Sequence, residues 1–411
     1  MEVKFNSQIF VLLFIPLISI FDVNLAVSQV TFVLALFFLI VSILITGHSV
    51  KVNSSYYVLF ISIACVIVLS SLHRALFFHD IDNQLLIRIV KLVVFFLYFT
   101  VALKLVGLTS VDKCLLYIKV FLLFLSIHLL ILAWQQLSFK FGFYFPEIGK
   151  TTVHGVESNI RDSLTHRLTG IANEPSYMAR ALLQILVLSL FFYASSLRKK
   201  SIYLCLILAS IIFGFLTFSM SFIFAFFIVF FTYLFRSFSV RTFAFLILFI
   251  FLVFSIFYLN KDFYIFQFIL DRFNTESSGS SARSHDLILA PKMFFDNCSI
   301  ITCSIGFGPS SIKYFNDWFN GYLIYETTNN VFVDVLVEFG FLILFFTLSL
   351  FFKYFSLVVK YKYSFLYFLV FILSNLFRSD YLTFNYYVYV VVGFMLLKVE
   401  RFYHQNNLYN I

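Results

Sequence analysis

A polar phrase between residues 150 and 180 holds the densest group of side chains that could do chemistry. It reads Arg167-Leu-Thr-Gly-Ile-Ala-Asn-Glu-Pro-Ser-Tyr-Met-Ala-Arg180 and passes directly into an apolar run. Pro175 suits the first position of a helix, and a residue before proline disfavours helical geometry, so Glu174 is predicted to be the N-cap. Its carboxylate either only caps the helix and complements the helix dipole, or also serves as a general base.

Two arginines flank this phrase. Arg167 is either a solvated or lipid-headgroup-binding charge or part of a site. Arg180 lies about one turn inside the predicted helix, and its long side chain can reach the membrane interface. The phrase therefore places a carboxylate and two guanidinium groups near the mouth of a predicted membrane span.

A second candidate region begins at Arg283-Ser-His-Asp286 and continues through an amphipathic or re-entrant segment over residues 287–295. It ends at Gly306 and Gly308. Glycines allow tight backbone turns, which either expose N–H groups to an anion or simply reverse the chain. The residues alone leave both interpretations open.

The asparagines Asn329 and Asn330 follow, and then the acids Asp334 and Glu338 at the start of a long apolar run. Residues four apart share one face of a helix, so the two acids are predicted to lie together at the outer end of a span. There they balance the arginines, help to bind a substrate, or are solvated.

A basic pair, Arg88 and Lys91, opens another predicted span, with both residues on one helical face. Ionisable groups at membrane depth are costly, so we expect a partner for them. An anionic lipid-linked phosphate is one candidate, and the side chain of Asp80 or Asp82 is another.

The elements that must position these residues are membrane helices. The chain is 62% hydrophobic and 12% charged, with a mean hydropathy of +0.97, which excludes a water-soluble globular protein. Apolar stretches long enough to cross a hydrocarbon core of about 30 Å recur along its length. We predict an all-α polytopic membrane protein, residues 1–411 forming one integral membrane domain, with about twelve transmembrane helices. They cover residues 8–21, 28–46, 56–72, 85–106, 115–134, 175–194, 202–218, 222–235, 242–259, 329–352, 363–377 and 381–397.

The distribution of basic residues predicts the orientation. With a cytoplasmic N-terminus, the short connections on that side hold most of the basic residues, and those opposite hold only Arg74 and Arg378. This asymmetry predicts both termini in the cytoplasm. Two large loops, residues 135–174 and 260–328, then face outward, into the periplasm of a Gram-negative cell. The formal charge of +9 is thereby mainly topological, and no nucleic-acid partner is required.

Two of the five cysteines, Cys298 and Cys303, lie in the second outer loop. They either form a disulfide in an oxidising compartment or remain free thiols. No spacing typical of metal ligands occurs in the sequence, so no metal is predicted.

The chain resembles the O-antigen polymerase and ligase superfamily, which are bacterial membrane glycosyltransferases. Four features occur in the expected order and together cover essentially the whole chain. They are the phrase with Arg167, Gly170 and Glu174-Pro175-Ser176, the turn Phe218-Ser-Met-Ser221, Arg283 before Gly306 and Gly308, and Asn329-Asn330 before Gly340.

This resemblance implies a GT-C-like fold with an outward-facing active site in the bacterial inner membrane. It implies catalytic roles for Arg167 and Arg283 on a pyrophosphate and for Glu174 as the general base, with Asp286 and Glu326 as alternative bases. Substrate-binding roles are predicted for Arg88, Lys91, Arg180, Gly306, Gly308, Asn329 and Asn330.

The implied reaction transfers a growing glycan from undecaprenyl pyrophosphate to the next lipid-linked repeat unit, without cofactor or metal. Ligases of the superfamily carry a histidine where this chain has Asn329, which favours the polymerase branch. An O-antigen ligase and a lipid-linked oligosaccharide flippase remain the alternatives. The expected partners are the undecaprenyl-pyrophosphate-linked oligosaccharide, membrane lipid and, as a candidate, a polysaccharide chain-length regulator.

Overall fold

The computed structural model describes residues 54–78, 83–145, 168–172, 175–195, 200–236, 274, 282–319, 322–324, 328–376 and 384–406. The predicted spans 8–21, 28–46 and 242–259 lie outside these residues. Within them the chain forms twelve α-helices and one 3₁₀-helix, and no strand. The prediction of an all-helical chain is confirmed for this part of the protein.

The helices are numbered here in chain order. They are α1 (Ser54–Phe78), α2 (Asn83–Leu108), α3 (Val111–Phe141), α4 (Pro175–Ser195), α5 (Lys200–Leu216), α6 (Met220–Arg236), α7 (Ala282–Asn297), α8 (Ile300–Ile305), the 3₁₀-helix Ser311–Tyr314, α9 (Phe315–Phe319), α10 (Val331–Val358), α11 (Lys362–Leu376) and α12 (Phe384–Gln405).

Four of these helices are long and apolar enough to cross a membrane, in α2, α3, α4 and α10. Shorter apolar helices lie in α1, α5, α6 and α11. Together they describe a membrane-embedded helical protein, and the number of twelve spans stays a prediction. The helix that begins at Pro175 starts where the sequence predicted, because the fixed φ of proline suits the first helical turn.

Contacts between helices sort their termini into two ends. The loop end comprises the last turns of α1, α3, α5 and α11 and the first turns of α2, α4, α6, α10 and α12. There Arg88 of α2 meets Glu338 of α10, and Asn330 before α10 bonds to Leu376 of α11. The opposite end, the basic end, holds the other termini of the same helices. For the predicted spans that the structure describes, this alternation matches the predicted direction.

Two polar side chains of α12 hold the basic end together. Lys398 Nζ donates hydrogen bonds to the carbonyl oxygens of Val106, Gly107 and Thr109, at 2.9, 2.8 and 2.6 Å, and so caps the end of α2. The carboxylate of Glu400 caps α11 by accepting from the N–H groups at residues 363 and 364. These bonds explain why α12 continues eight residues beyond the predicted end of its apolar span at residue 397.

Helix α3 also exceeds its prediction. It runs to Phe141 and not to residue 134, so the outer connection begins seven residues later than expected. Its end is set by Gly142, whose left-handed backbone (φ 72°) lets its N–H bond to the carbonyl of Ser138.

The main core lies between α2, α3, α4, α5, α6, α11 and α12. Helix α4 is buried on nearly all sides, whereas α3 and α10 each bury about one face and expose the other. The fully buried side chains that close the centre include Phe95, Phe121, Phe191, Phe222, Leu366 and Val391. Helix α4 therefore lies at the centre of the main core, and its first turn belongs to the loop end.

A second, smaller core lies within the predicted outer loop 260–328. Residues 282–319 of this loop are almost entirely helical and pack against α10. The side chains that join them are Phe294, Phe307, Phe315 and Val337. Cys298 and Cys303 form a disulfide between the end of α7 and α8, which resolves the two alternatives left by the sequence.

The small core borders the point where α10 is broken. Gly340 has φ 70° and ψ −172°, which is not helical, so the carbonyl oxygens just before it lose their normal partners. Those of Val337 and Glu338 accept from the N–H groups of Phe307 and Gly308 instead, at 3.0 and 2.9 Å. The turn at residues 306–308 and the break at Gly340 therefore complete each other's hydrogen bonds; we call this contact the glycine interlock.

The interlock leaves no room for a side chain on either glycine. A Cβ on Gly306 would lie 2.3 Å from the carbonyl oxygen of Glu338, and one on Gly340 would lie 2.4 Å from that of Ser304. We expect Gly306→Ala and Gly340→Ala to lower the apparent melting temperature of the purified protein. The left-handed backbone alone should cost about 1–3 kcal/mol, and the backbone clash adds to it.

Gly107→Ala is the matched control. Gly107 lies in α2 with no atom within 4 Å of the position that an added methyl group would take, so alanine should leave the melting temperature unchanged or raise it. Equal melting temperatures for all three variants would contradict the interlock.

Candidate functional site

The predicted catalytic residues are described to different extents. Arg167 and Glu174 lie outside the described residues, and Arg283 is in the first turn of α7. The described chain neighbours of the first two are Leu168 and Pro175, and both belong to the loop end. The predicted substrate-binding residues are all described.

Gln135 of α3 holds the segment that follows Arg167. Its Oε1 accepts hydrogen bonds from the N–H groups of Thr169 (2.9 Å) and Gly170 (2.7 Å). Leu168 is fully buried and donates its N–H to the carbonyl of Leu216 at the end of α5, at 3.3 Å. The first polar phrase is thus tied to both α3 and α5 at the loop end.

Arg180 lies in a pocket between α4, α6 and α11. The guanidinium carbon is 4.9 Å from the centre of the Tyr389 ring, a cation–π distance, and the residue is buried. Three serines line the pocket with it, Ser176, Ser221 and Ser374. The expectation that Arg180 reaches out to the interface is therefore wrong, because its side chain packs inward on an aromatic ring.

The turn between α5 and α6 supplies one of these serines. Phe218 has a left-handed backbone (φ 48°), and the hydroxyl oxygens of Ser219 and Ser221 lie 2.7 Å apart. A buried guanidinium with hydroxyl groups around it suits an anionic or polyhydroxylated ligand, since both kinds of group bind oxygen atoms. We call this the arginine pocket.

Arg88 finds its partner on a distant helix. Its Nη1 lies 3.3 Å from Oε1 of Glu338, which is buried, whereas Arg88 is slightly exposed. The sequence predicted that Arg88 needs a partner and offered Asp80 and Asp82, which lie outside the described residues. In the structure the arginine joins α2 to α10, and Lys91, one turn further along α2, is half-buried.

Asp334 is also engaged within the fold. Its Oδ1 accepts hydrogen bonds from the N–H (2.9 Å) and the hydroxyl (2.6 Å) of Thr328. Both Asp334 and Glu338 are buried, so the interpretation of these acids as solvated groups is wrong. They fix the start of α10 against the chain before it and against α2.

Asn330 is the N-cap of α10. Its side-chain oxygen accepts from the N–H groups of Phe332 and Val333, and its amide nitrogen donates to the carbonyl of Leu376 at 3.1 Å. Asn329 before it has a left-handed backbone, with φ 57°. Both ends of the Asn330 side chain are bonded to the protein, so Asn330 positions the start of α10, and its substrate contact stays a prediction.

The predicted anion-binding role of Gly306 and Gly308 is also wrong. The N–H of Gly306 donates to the carbonyl of Thr302 (2.7 Å), and those of Phe307 and Gly308 donate to α10. All three groups are consumed by the fold. The glycines reverse the chain, which was the other interpretation of this turn, and their lack of a side chain also allows close backbone approach.

Asp286, an alternative base, is buried and bonded to backbone. The N–H of Ile324 donates to both of its carboxylate oxygens, at 3.0 and 3.1 Å, and the ring of His285 lies 3.1 Å away. This carboxylate anchors α7 to residues 322–324. Glu326, the other alternative, lies outside the described residues.

Sequence reasoning missed the pair His73 and Arg74, which it assigned to a short outer connection. Arg74 lies within α1, is fully buried, donates from Nη1 to the carbonyl of Pro309, and lies 4.7 Å from the Tyr314 ring. His73 Nε2 is 3.2 Å from the hydroxyl of Thr302. An arginine at the end of an apolar stretch, with aromatic residues in a later polar loop, was the available signal.

Among the described residues, no group of His, Cys, Asp and Glu side chains could hold a metal ion. The arginine pocket is lined by the guanidinium of Arg180 and by the hydroxyls of Ser176, Ser221 and Ser374, whereas Asp334, Glu338 and Asp286 are bonded within the fold.

The Arg88–Glu338 pair can be tested with a double-mutant cycle. We expect Glu338→Gln and Arg88→Gln each to lower stability, by less than the about 3–5 kcal/mol of a fully buried pair because Arg88 is slightly exposed. The double variant should be more stable than the sum of the single changes predicts, by about 1 kcal/mol. Additive melting-temperature changes in purified protein would show that the two side chains do not interact.

Comparison of the chain with protein-family models finds no match, and comparison with curated proteins finds no significant match.

Proposed function

We propose that the protein is a polymerase of O-antigen or a related surface polysaccharide. It transfers a growing glycan from undecaprenyl pyrophosphate to the next lipid-linked repeat unit. The membrane is the bacterial inner membrane, both termini are cytoplasmic, and the loop end faces the periplasm. A chain-length regulator is a candidate partner.

The observation that carries this proposal is the convergence of distant motifs at the loop end. Ser176 belongs to the first phrase and Ser221 to the turn after α5, and both line the arginine pocket. The turn at Gly306 meets the break at Gly340. Described parts of the four features on which the family resemblance rests therefore lie at the loop end, in two places linked through the last turn of α11, and this supports the proposal of a shared site.

The chemistry needs few groups. A hydroxyl of the acceptor sugar attacks the anomeric carbon of the donor glycan, and a new glycosidic bond forms. The bond from that carbon to the pyrophosphate oxygen breaks, and undecaprenyl pyrophosphate leaves with the bonding electrons. Arg167 and Arg283 stabilise the charge on this leaving group, and Glu174 accepts the proton of the attacking hydroxyl.

Arg180 is assigned to substrate binding in the pocket. Its guanidinium is held by the ring of Tyr389, and the serine hydroxyls around it match the oxygens of a sugar or a phosphate. Arg88, Asn330 and the glycines position this site, because their polar groups are bonded within the protein.

The test of function is the ladder of surface glycan on a gel, after deletion of the gene and complementation. We expect deletion to leave a core that carries a single repeat unit, and wild type to restore the ladder. Arg167→Ala, Arg283→Ala and Glu174→Ala should fail to restore it at verified expression, since each removes a charged group assigned to the transfer step.

Other outcomes separate the alternatives. A ligase or a flippase is indicated if deletion leaves no repeat unit attached to the core. Normal ladders from the arginine variants would overturn the assignment of these residues, whatever the enzyme.

The arginine pocket has its own prediction. Arg180→Ala should abolish laddering because it removes the only basic side chain among the described residues that line the pocket, whereas Arg180→Lys should restore it partly, by keeping the charge without the planar fork. Arg401→Ala is the matched control, since Arg401 is exposed at the basic end, and it should ladder normally. Normal laddering by Arg180→Ala would remove Arg180 from the site.

A further inference from the structure

Helices α7 and α8 present an apolar surface that no described part of the chain covers. Ile288 and Phe295 of α7 are 66% and 52% exposed, and Ile300 and Ile301 of α8 are 89% and 64% exposed. Both helices lie in the predicted outer loop 260–328, in which the sequence predicts an amphipathic or re-entrant segment over residues 287–295. Exposed apolar side chains grouped in this way mark a surface with a partner.

Helix α7 has three sides of different character. Successive residues are about 100° apart, so Met293 and Phe294 fall on one side, which packs on the small core. Ile288 and Phe295, seven residues apart, share a second side within about 20°. The exposed Lys292 and Asp296 lie between these two on a third side. Helix α7 thus has one side that packs on protein, one exposed apolar side and one exposed charged side.

The exposed apolar side is continuous with the outer surface of α10. The rings of Phe295 and Phe341 are 6.0 Å apart, and Phe341 is itself exposed. From it an exposed apolar stripe follows one face of α10 through Phe345, Leu348 and Phe352. Because α10 is long and apolar enough to cross a membrane, this stripe faces lipid.

The depth of α8 along α10 is set by the glycine interlock. Gly340 contacts Ser304, the fifth residue of α8, and it lies nine residues after Val331, about 14 Å along a helix axis. On its other side α8 contacts α1 through Thr302 and His73. The neighbouring residues Leu72, Leu76 and Phe77 of α1 are exposed and apolar as well. Apolar spans therefore flank α8 on both sides.

We propose that α7 and α8 form a re-entrant pair seated in the outer leaflet of the bilayer at the loop end. Lipid acyl chains cover Ile288, Phe295, Ile300 and Ile301, and Lys292 and Asp296 lie towards the headgroups. A helix with this division of apolar and charged sides is stable at a membrane interface. The occupant of the surface is lipid because Phe295 continues the apolar stripe of α10 through Phe341, and because α8 lies between α10 and the exposed apolar residues of α1.

The test places tryptophan on this surface and measures contact with lipid. The two native tryptophans, Trp134 and Trp318, are changed to Phe, and Ile288→Trp, Ile300→Trp or Ile301→Trp is introduced. The full chain is reconstituted in nanodiscs whose lipids carry bromine on the acyl chains, which quench tryptophan only on contact. Phe345→Trp on α10 is the lipid-facing control, and Asp317→Trp, at an exposed polar position of α9, is the water-facing control.

We expect the probes on α7 and α8 to lose the same large fraction of their emission as Phe345→Trp, and Asp317→Trp to lose little. All substituted isoleucines are exposed, so the melting temperature should stay close to that of the background. Probes that acrylamide in water quenches, and brominated lipid does not, would overturn the proposal. Probes that neither agent quenches would show a protein surface there, such as a second copy, and would overturn it equally. The result is independent of glycan laddering.

Discussion

The structure at the loop end depends on one backbone contact, the glycine interlock. In a membrane every backbone N–H and C=O must find a partner within the protein, so a break in a spanning helix has to be repaired by another segment. The break at Gly340 frees the carbonyl oxygens of Val337 and Glu338, and the turn after α8 supplies the missing N–H groups. This requirement fixes α8 beside α10 and brings Arg74 of α1 onto the turn at Pro309. The small core, which joins residues 282–319 to α10, depends on these hydrogen bonds.

The acids near this contact are used in the same way. Glu338 pairs with Arg88, Asp334 accepts from Thr328, and Asp286 accepts from Ile324. A buried carboxylate is costly unless it is hydrogen-bonded, and each of these carboxylates meets backbone or side-chain donors. The arginine pocket differs from them, because its guanidinium and serine hydroxyls line a small cavity, which has room for about one water molecule. At the loop end the acidic groups thus stabilise the fold, whereas the guanidinium of Arg180 lines the arginine pocket.

Much of the fold was predictable from local sequence, and most of the site was not. Composition predicts membrane helices, and Pro175 predicts where α4 starts, because both are properties of one segment. The need of Arg88 for an anionic partner was predictable, but the glutamate that pairs with it lies 250 residues away, and only tertiary packing selects it. The glycines at 306 and 308 signal a turn, yet the fit of Gly306 against Gly340 and that of Gly308 against Arg74 are contacts between remote segments. The extension of α12 had the same cause, since Lys398 and Glu400 find partners on other helices.

The arginine pocket and the interlock are joined through the last turn of α11. Ser374 lines the pocket, and the carbonyl of Leu376, two residues later, accepts from the amide of Asn330, which caps α10. The start of α10 is the segment that Asp334 and Glu338 fix, and the interlock lies less than three turns beyond it. A displacement of α8 in the membrane would therefore shift α10 and strain the hydrogen bond between Asn330 and Leu376 of α11, which lies beside the pocket. The bilayer seat proposed for α8 would give the loop end a fixed depth, and the proposed lipid-linked substrate would approach the pocket from that same depth, because its own anchor is set by the same leaflet.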